Sequence, residues 1–253
     1  MRIILSPAKK MAYDPDAPNP QGLPPFLDRT QRLMEALQGM TPDELQALWM
    51  CNERIAAQNV ERLRNMDLRR ALTPAVLAYD GIAYKCMSPQ VFTDEEDAYV
   101  QEHLRILSGF YGILRPHDGV TPYRLEMQAR LSVDGAKDLY AFWGDALAKQ
   151  LAGETDTVVN LASKEYARAV LPHLSDGMRV VTCAFCEMKG GKAVEKATLC
   201  KMARGEMVRF MAENRIARPE DLRAFGRYGF RYDPERSDGN TYVFIREGGK
   251  THA

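Results

Sequence analysis

The chain has 253 residues, 45% of them hydrophobic and 27% charged, a composition typical of ordinary globular proteins that gives no indication of disorder or of a fibre. Lysine and arginine together number 34, as do aspartate and glutamate, so the formal net charge at pH 7 is zero. A neutral molecule has no long-range field to attract nucleic acid or acidic lipid, so a polyanion site requires local clustering of basic residues. The length allows one large domain or two small ones.

The start of the chain and its cysteines indicate a cytoplasmic protein. Residues 1–7 (MRIILSP) are too short an apolar run for a signal peptide, and no later stretch approaches the roughly 20 apolar residues of a membrane span. The cysteines are odd in number and lack the spacing of a disulfide framework. We therefore expect free thiols and no membrane partner. The cysteines are Cys51, Cys86, Cys183, Cys186 and Cys200.

The first predicted element is a short strand followed by a long loop. Residues 2–5 (RIIL) predict a buried strand that ends at Ser6 and Pro7, which places Lys9 just beyond a strand end. Residues 13–25 contain five prolines and can form neither a helix nor a central strand. We interpret them as an extended loop within a domain, because only one short strand precedes them.

Helical spacing of apolar residues between 25 and 70 predicts two or three helices. One of them begins at Thr41, which is followed by a proline and by a glutamate in the third position, the pattern of a capping box. Residues 74–81 (PAVLAYDG) predict a second strand that ends in a turn, directly before Tyr84 and Lys85.

The later elements alternate between helix and strand. A capping box at 93–96 (TDEE) opens a predicted helix over 94–107, which leads directly into Gly109. This alternation indicates an α/β architecture. The remaining predicted elements are strands at 157–161, 178–183 and 241–246, and a short helix over 163–171.

Residues 107–127 (LSGFYGILRPHDGVTPYRLEM) combine closely spaced glycines, prolines and arginines between apolar anchors. Gly109 and Gly112 permit backbone conformations or close approaches that a side chain would prevent. We expect a rigid polar hairpin whose exposed N–H groups, together with Arg115 and Arg124, hold a phosphate or a carboxylate. A purely structural turn with two ordinary arginines is the alternative.

Residues 197–216 predict an amphipathic helix. Its apolar side carries Leu199, Ala203, Met207, Phe210 and Met211. Basic residues gather elsewhere, with Lys201, Arg204 and Arg215 on the opposite side and Arg209 at the flank. This stripe predicts either a solvated face, in which Glu206 and Glu213 pair with Arg209, or a contact surface for a polyanion. Gly205 in mid-helix indicates a close packing approach.

The common catalytic and metal-binding signatures do not occur. Cys183 and Cys186 have the spacing of a redox motif, but on a strand their thiols would point to opposite faces. The histidines are not spaced for a metal site, and the usual nucleotide and hydrolase motifs are missing. We therefore predict no metal and no cofactor. The histidines are His103, His117, His173 and His252.

Residues 160–166 (NLASKEY) place polar side chains where a predicted strand ends and a helix begins. Ligands of α/β proteins commonly bind at such junctions. Ser163 is first of all a candidate N-cap, but Lys9 and Tyr84 could converge on the same rim. A rim of lysine, arginine, tyrosine and asparagine without a carboxylate pair favours anion binding over acid–base chemistry.

Ordered motifs along the whole chain match a known family. They are SPAK (6–9), LRILSGFYGILRP (104–116), PYRLEM (122–127), DLYAFWG (138–144), VNLAS (159–163) with EY (165–166), and KMARG (201–205) with RF (209–210) and ENR (213–215). In this order and number the motifs resemble the YaaA family of bacterial peroxide-stress proteins.

The resemblance implies a cytosolic protein that protects bacteria from hydrogen peroxide by keeping unincorporated iron low. It implies a single compact α/β domain over 1–253, with a mixed sheet, surrounding helices and an unusual topology. It also implies a positively charged cleft, a helix-hairpin-helix-like element and DNA binding. That element falls on the predicted helix 94–107 and the turn at 108–112. The sequence departs from the family pattern at two places. Gly109 and Gly112 are separated by two residues, and Ile82 occupies a position where we associate an acidic residue with the family.

Two functions compete at this stage. The first is DNA binding without base readout, in which Arg115, Arg124, Lys201, Arg204 and Arg209 contact phosphates. The second is an enzyme acting on a nucleotide, a nucleic acid or another anionic metabolite, using Lys9, Tyr84, Asn160, Ser163 and Lys201 around a pocket. Direct iron binding is disfavoured by the sparse histidines. The complete predicted DNA or anion site is Lys9, Gly109, Gly112, Arg115, Tyr123, Arg124, Asn160, Ser163, Lys201, Arg204 and Arg209.

Overall fold

A mixed sheet of eight strands runs through the centre of the computed structural model, which describes residues 1–247. The sheet has the order β11-β12-β9-β8-β1-β5-β6, with β10 paired to β9. Two small pairs, β2 with β4 and β3 with β7, lie outside it. In chain order the strands are β1 (Arg2–Leu5), β2 (Lys10–Met11), β3 (Thr73–Pro74), β4 (Tyr79–Asp80), β5 (Leu104–Ser108), β6 (Gly112–Leu114), β7 (Gly119–Val120), β8 (Thr157–Leu161), β9 (Arg179–Lys189), β10 (Lys192–Val194), β11 (Arg231–Tyr232) and β12 (Thr241–Glu247).

Strand β1 is the centre of a parallel core. It pairs in parallel with β5 on one side and with β8 on the other, and β8, β9 and β12 continue in parallel. Antiparallel β6, β10 and β11 flank this core. The chain leaves β1 towards β5 and leaves β8 towards β9, so the carboxyl ends of β1 and β8 border the point where the strand order reverses. Open α/β sheets bind their ligands at this kind of point.

The helices cover the sheet and bury its apolar strands. The central residues Ile3, Ile4, Val158 and Val159 have no exposed surface, as expected for parallel strands that are covered on both faces. The helices are α1 (Leu27–Gln38), α2 (Pro42–Trp49), α3 (Glu53–Arg64), α4 (Ala75–Ala78), α5 (Ile82–Met87), α6 (Asp94–His103), α7 (Leu139–Trp143), α8 (Ala146–Ala152), α9 (Lys164–Ala167) and α10 (Ala197–Glu213), with 3-10 turns at Pro89–Val91, Leu171–His173 and Pro219–Ala224.

The predicted α/β class is confirmed, as are several elements. Strands β1 and β8 have the predicted bounds, residues 25–70 form three helices, and both capping boxes are present at Thr41 and Thr93. Strand β9 continues to Lys189, six residues beyond its predicted end, because β10 and β12 pair with its extension. The predicted helix over 163–171 is only the single turn α9.

The predicted strand over 74–81 is wrong. Residues 75–78 form the helical turn α4, and only two residues on either side of it pair as strand. The amides of Ala75 and Val76 donate to the carbonyls of Asp118 and Pro116, which turns the chain at this point. A short run that is buried on all sides carries no periodicity to separate helix from strand.

The predicted helix over 94–107 ends early. Helix α6 stops at His103, and residues 104–108 form β5, which pairs with β1 through Ile3 and Leu104. After the turn the chain forms β6, a strand and not a second helix. The helix-hairpin-helix-like element is therefore not found at this position. A parallel strand buried on both faces shows no alternation of apolar and polar residues, so the sequence LRILS matches a helix face equally well.

Three glycines occupy positions where the structure leaves no room for a Cβ atom. A Cβ atom on Gly109 would lie 2.7 Å from the carbonyl oxygen of Leu125, and Gly112 has φ +78° with its Cα facing the Trp143 ring. On α10, a Cβ atom on Gly205 would lie 1.9 Å from the carbonyl oxygen of Ala83 in α5. The close approach predicted at Gly205 is thus confirmed, and it joins α10 to α5.

We predict that Gly205→Ala destabilises the protein by at least about 2 kcal/mol, because the forced separation of α5 and α10 outweighs the roughly 1 kcal/mol that alanine gains in a helix. Urea unfolding measures this difference. Gly177→Ala is the control, since a Cβ atom there meets nothing within 4 Å, and it should change stability by less than about 0.5 kcal/mol. A Gly205→Ala variant as stable as the wild type would contradict the packing described.

Candidate functional site at the carboxyl edge of the sheet

The carboxyl ends of β1 and β8 are joined by two serines. Ser6 Oγ accepts a hydrogen bond from the backbone N–H of Ser163 at 2.8 Å and lies 3.2 Å from Ser163 Oγ. Ser163 occupies the N-cap position of α9, yet its hydroxyl makes no capping bond. Tyr84 donates to the Ser6 carbonyl at 3.0 Å. The convergence of Tyr84 with Ser163 that the sequence predicted is therefore confirmed through Ser6.

A relay of buried hydroxyls lies behind these serines. Ser108 Oγ accepts the amides of Phe110 and Tyr111, so its own hydrogen is available for the Tyr123 hydroxyl, 2.6 Å away. The Tyr123 hydroxyl also shares a hydrogen bond with the Tyr79 hydroxyl at 2.9 Å. Burial raises the pKa of Tyr123 to about 12, so the phenol keeps its proton at neutral pH.

Three charged side chains border the relay. Lys9 Nζ lies 3.2 Å from Glu126 Oε2, and Arg124 Nη2 lies 3.0 Å from Glu126 Oε1. The side chains of Arg124 and Glu126 are each only 12% exposed, whereas that of Lys9 is 62% exposed. We call Ser6, Ser163, Tyr84, Lys9, Arg124 and Glu126 the carboxyl-edge site.

Polar atoms of this site lack hydrogen-bond partners. Arg124 Nε and Glu126 Oε1 are fully buried and make no hydrogen bond within the described part of the chain. The contact between Glu126 Oε1 and Arg124 Nη2 is thus an ion pair without hydrogen-bond alignment. Burying unsatisfied polar groups costs about 1–3 kcal/mol each, which proteins tolerate mainly where water or a ligand completes them.

Glu165 adds a second carboxyl group beside Glu126. It accepts the backbone N–H of Gln128 at 3.3 Å, and burial raises its pKa, an effect to which the charge of Glu126 adds. The sequence predicted no carboxylate pair at this rim, so Glu126 and Glu165 are functional candidates that it missed. The signal was the spacing of Arg124 and Glu126 as alternate residues of one extended segment.

Asn160 and Arg204 are built into the surrounding structure. Asn160 accepts the Ala162 amide at 3.0 Å and donates to Thr182 at 3.3 Å, which fixes the turn after β8. Arg204 on α10 lies near the buried thiols of Cys183 and Cys200, and burial lowers its pKa. Its Nε atom is buried without a partner.

The predicted exposed hairpin over 107–127 is wrong. Most of the stretch is buried, and the amides of its turn donate to Ser108, so they are not free to grip a phosphate. Gly109 and Gly112 are explained by packing. The turn also separates its two arginines, because Arg124 contacts the carboxyl-edge site while Arg115 follows β6, which runs towards the opposite edge.

Arg115 lines a separate cavity of about 280 Å³ near the amino ends of the parallel strands. Carboxylates balance the arginines around this cavity. Arg105 is 3% exposed and donates to Glu154 at 2.7 Å, and Asp118 accepts the backbone N–H of Arg115 at 2.8 Å. Arg2 also binds Glu154, at 3.2 Å. We call this the arginine cavity.

Most of the basic stripe on α10 is engaged within the protein. Arg209 donates to Glu213 at 2.7 Å and to the Met87 carbonyl at 3.3 Å. Arg215 pairs with Glu95 on α6. Lys201 remains exposed. The interpretation of this face as solvated and paired is thus correct for Arg209 and Arg215, although Glu206 pairs with Arg227 and not with Arg209.

Exposed lysines instead collect along the carboxyl edge of the sheet. They follow β1 and β8, occupy both sides of the β9–β10 turn and lie near the start of α10. The β9–β10 turn is formed by Gly190 and Gly191, both with positive φ, which is the geometry of a two-residue hairpin. We call Lys9, Lys164, Lys189, Lys192 and Lys201 the lysine edge. Sequence reasoning identified Lys9 and Lys201 but missed the Gly-Gly signal between Lys189 and Lys192.

The remaining features are the cysteines, the histidines and the length of the helices. All five cysteines are free, and burial raises the pKa of Cys183 to about 12, so its thiol is a poor nucleophile. Within residues 1–247, no three His, Cys, Asp or Glu side chains are grouped to hold a metal ion, and no helix there is long and apolar enough to cross a membrane. His103 is half-buried, and His252 lies outside the described residues.

Fold and site together define a single α/β domain with a polar cluster and exposed lysines at the switch point of its sheet. Residues 1–236 match the family model described as peroxide stress protein YaaA. UPF0246 proteins from Agathobacter rectalis and Desulfitobacterium hafniense are each 50% identical to this chain, covering 98% and 97% of it and 99% and 98% of their own lengths. A UPF0246 protein from Lactiplantibacillus plantarum is 49% identical over 97% of this chain and 99% of its own. The chain belongs to the YaaA family of peroxide stress proteins.

We predict that Asp118 makes folding stability fall between about pH 4 and pH 6. Burial raises its pKa to about 6, above the roughly 3.9 of an unfolded aspartate, so within this range the folded state binds the proton more tightly. The resulting penalty is absent below pH 4 and complete above pH 6, with a size of up to about 3 kcal/mol. Asp118→Asn removes the titration and retains an acceptor for the Arg115 amide.

The measurement is urea unfolding of wild type and Asp118→Asn from pH 4 to pH 7. The difference in stability should move in favour of the variant as pH rises. Asp176→Asn, at an exposed loop position, is the control and should show a constant difference. A constant difference for Asp118→Asn as well would contradict a protonated, buried carboxyl group in the arginine cavity.

Proposed function

We propose that this protein defends cells against peroxide by binding DNA without sequence preference along the lysine edge, and that it thereby helps to keep unincorporated iron low. The lysine edge is the observation that carries the proposal. Its five exposed ammonium groups lie on one side of a molecule with no net charge, so the positive charge is local. DNA affinity comes mainly from neutralising phosphates.

The acidic groups near this edge are largely engaged elsewhere. Glu187 is buried and pairs with Lys196 and Arg246, and Glu126 pairs with Arg124. Among residues 1–247, Lys164, Lys189, Lys192 and Lys201 have no carboxylate within 4.0 Å, and only Lys9 of the lysine edge has one. Four ammonium groups are therefore available to a polyanion, and Lys9 provides the fifth when it exchanges Glu126 for a phosphate.

The reach of the edge suits a nucleic-acid backbone. Strand β9 continues seven residues past Thr182, its last pair with β8, and seven strand residues span about 23 Å. That length corresponds to about seven phosphates along one DNA strand. Lysine is a flexible point charge without the planar fork that reads guanine edges, so these contacts favour backbone binding over base recognition.

We predict that the log–log salt dependence of duplex binding has a slope of about −4 to −5, as expected for five neutralised phosphates. In K189Q/K192Q the slope should become shallower by about 2. Fluorescence anisotropy with a labelled duplex at several salt concentrations measures both slopes. The control K149Q/R179Q removes two charges from other parts of the surface and should leave the slope unchanged. A salt-insensitive interaction, or equal slopes for both double variants, would contradict the DNA proposal.

The cellular half of the proposal predicts loss of protection when the lysine edge is neutralised. In cells lacking the gene, K189Q/K192Q should fail to restore survival in hydrogen peroxide and should leave unincorporated iron high, while K149Q/R179Q restores both. Colony survival and electron paramagnetic resonance of intact cells measure these outcomes. Full complementation by K189Q/K192Q would separate peroxide protection from the lysine edge.

A second candidate function is an enzyme that acts on a nucleotide or another anionic metabolite at the carboxyl-edge site. The buried and unpartnered Arg124 Nε and Glu126 Oε1 atoms favour it, because a duplex cannot reach a buried guanidinium. The site lies at the switch point of the sheet, where α/β enzymes bind their substrates. Ser6, Ser163 and Tyr84 would then contact or position the substrate.

A further inference from the structure

Arg124 and Glu126 form a small polar enclosure with incomplete hydrogen bonding. Arg124 Nε is a donor without an acceptor, and Glu126 Oε1 is an acceptor without a donor. Such a set is rare in one place, since more than about nine in ten buried polar groups are satisfied.

The packing around this enclosure keeps its groups in fixed positions. Glu126 lies close enough to Tyr123 and Tyr166 for its charge to raise the pKa of both hydroxyls, although burial is the main cause. Arg124 and Glu126 are alternate residues of one segment whose neighbour Leu125 is buried beside Gly109. The groups therefore cannot simply rotate into solvent to satisfy themselves.

We propose that this enclosure, the Arg124–Glu126 pocket, binds a small anion that carries a hydroxyl group. The inference rests on the second candidate function and not on DNA binding. The anionic oxygens accept from Arg124 Nε and from Lys9, and the hydroxyl donates to Glu126 Oε1. The free Nε–H of Arg124 and the ammonium of Lys9 are both cationic donors, which favours an anionic acceptor over a neutral sugar. Phosphate esters and hydroxy acids share this chemistry.

Lys9 provides the route of entry. It is the exposed member of the group, and its contact with Glu126 is made by a flexible side chain from the loop after β1. When the ligand enters, the Lys9 ammonium exchanges Glu126 for the anionic group of the ligand. Because the Lys9 side chain is 62% exposed, its ammonium stays hydrated on one side during this exchange.

Isothermal titration calorimetry with ribose 5-phosphate, inorganic phosphate, lactate and ribose tests the proposal. Wild-type protein should bind ribose 5-phosphate at least tenfold more tightly than inorganic phosphate, and ribose should not bind. The relative affinities of ribose 5-phosphate and lactate distinguish a phosphate ester from a hydroxy acid. R124K keeps the charge but loses the Nε–H donor, and it should bind ribose 5-phosphate at least tenfold more weakly.

Two further variants separate ligand binding from folding. K9Q changes a side chain that is 62% exposed, so it should fold normally and bind ribose 5-phosphate severalfold more weakly. E126Q should lose the preference for ribose 5-phosphate over inorganic phosphate. K149Q is the matched control, which removes an exposed lysine charge on α8, outside both the pocket and the lysine edge, and should leave the affinity for ribose 5-phosphate within twofold.

Three results would overturn the pocket. The first is no binding of ribose 5-phosphate or lactate by the wild type at millimolar concentration. The second is wild-type affinity in both R124K and K9Q. The third is equal affinity of the wild type for inorganic phosphate, ribose 5-phosphate and lactate. The first would indicate that trapped water alone completes the buried groups. Calorimetry tests the pocket, and an assay of phosphate release from ribose 5-phosphate tests the enzyme function separately. Binding of a probe without its turnover would support the pocket and count against the enzyme function.

Discussion

One serine hydroxyl holds together the two strand ends on which the rest of the site depends. Ser6 Oγ accepts the Ser163 amide at 2.8 Å, across the point where the strand order of the sheet reverses. Lys9 continues from the β1 side of this contact, and Lys164 and Glu165 continue from the β8 side. The pairing of Leu5 with Leu161 brings the two strand ends together, and the Ser6–Ser163 bond then joins the loops that carry the charged groups.

The charged side chains at the two edges of the sheet differ in burial and in pairing. At the amino edge, Arg105 is buried and neutralised by Glu154, which Arg2 also contacts. At the carboxyl edge, lysines are exposed and Arg124 is buried with an incomplete hydrogen-bond set. Exposed, unpaired charge suits a polyanion, and enclosed, unsatisfied polarity suits a small ligand. The proposed functions therefore occupy neighbouring but distinct parts of one edge.

The sequence predicted this fold well wherever periodicity or capping chemistry was strong. Strands β1 and β8 and the boxes at Thr41 and Thr93 needed only local information. It failed at residues 104–108 because a strand buried on both faces shows no alternation of apolar and polar residues, and β5 buries Arg105 and Ser108 together with its apolar residues. Arg115 and Arg124 were predicted to share one site because they are close in sequence. That closeness does not reveal that β6 runs back across the sheet. Glu126 gained its importance only from tertiary neighbours.

Backbone amide chemical shifts during titration with a short DNA duplex test the central claim, that ligands bind at the carboxyl edge, most directly. Shift changes should concentrate at residues 6–9, 162–165 and 188–193, and residues around Arg2, Arg105 and Glu154 at the amino edge should stay unchanged. Changes centred on Arg115 and the arginine cavity, with none around Ser6 and Ser163, would contradict the account.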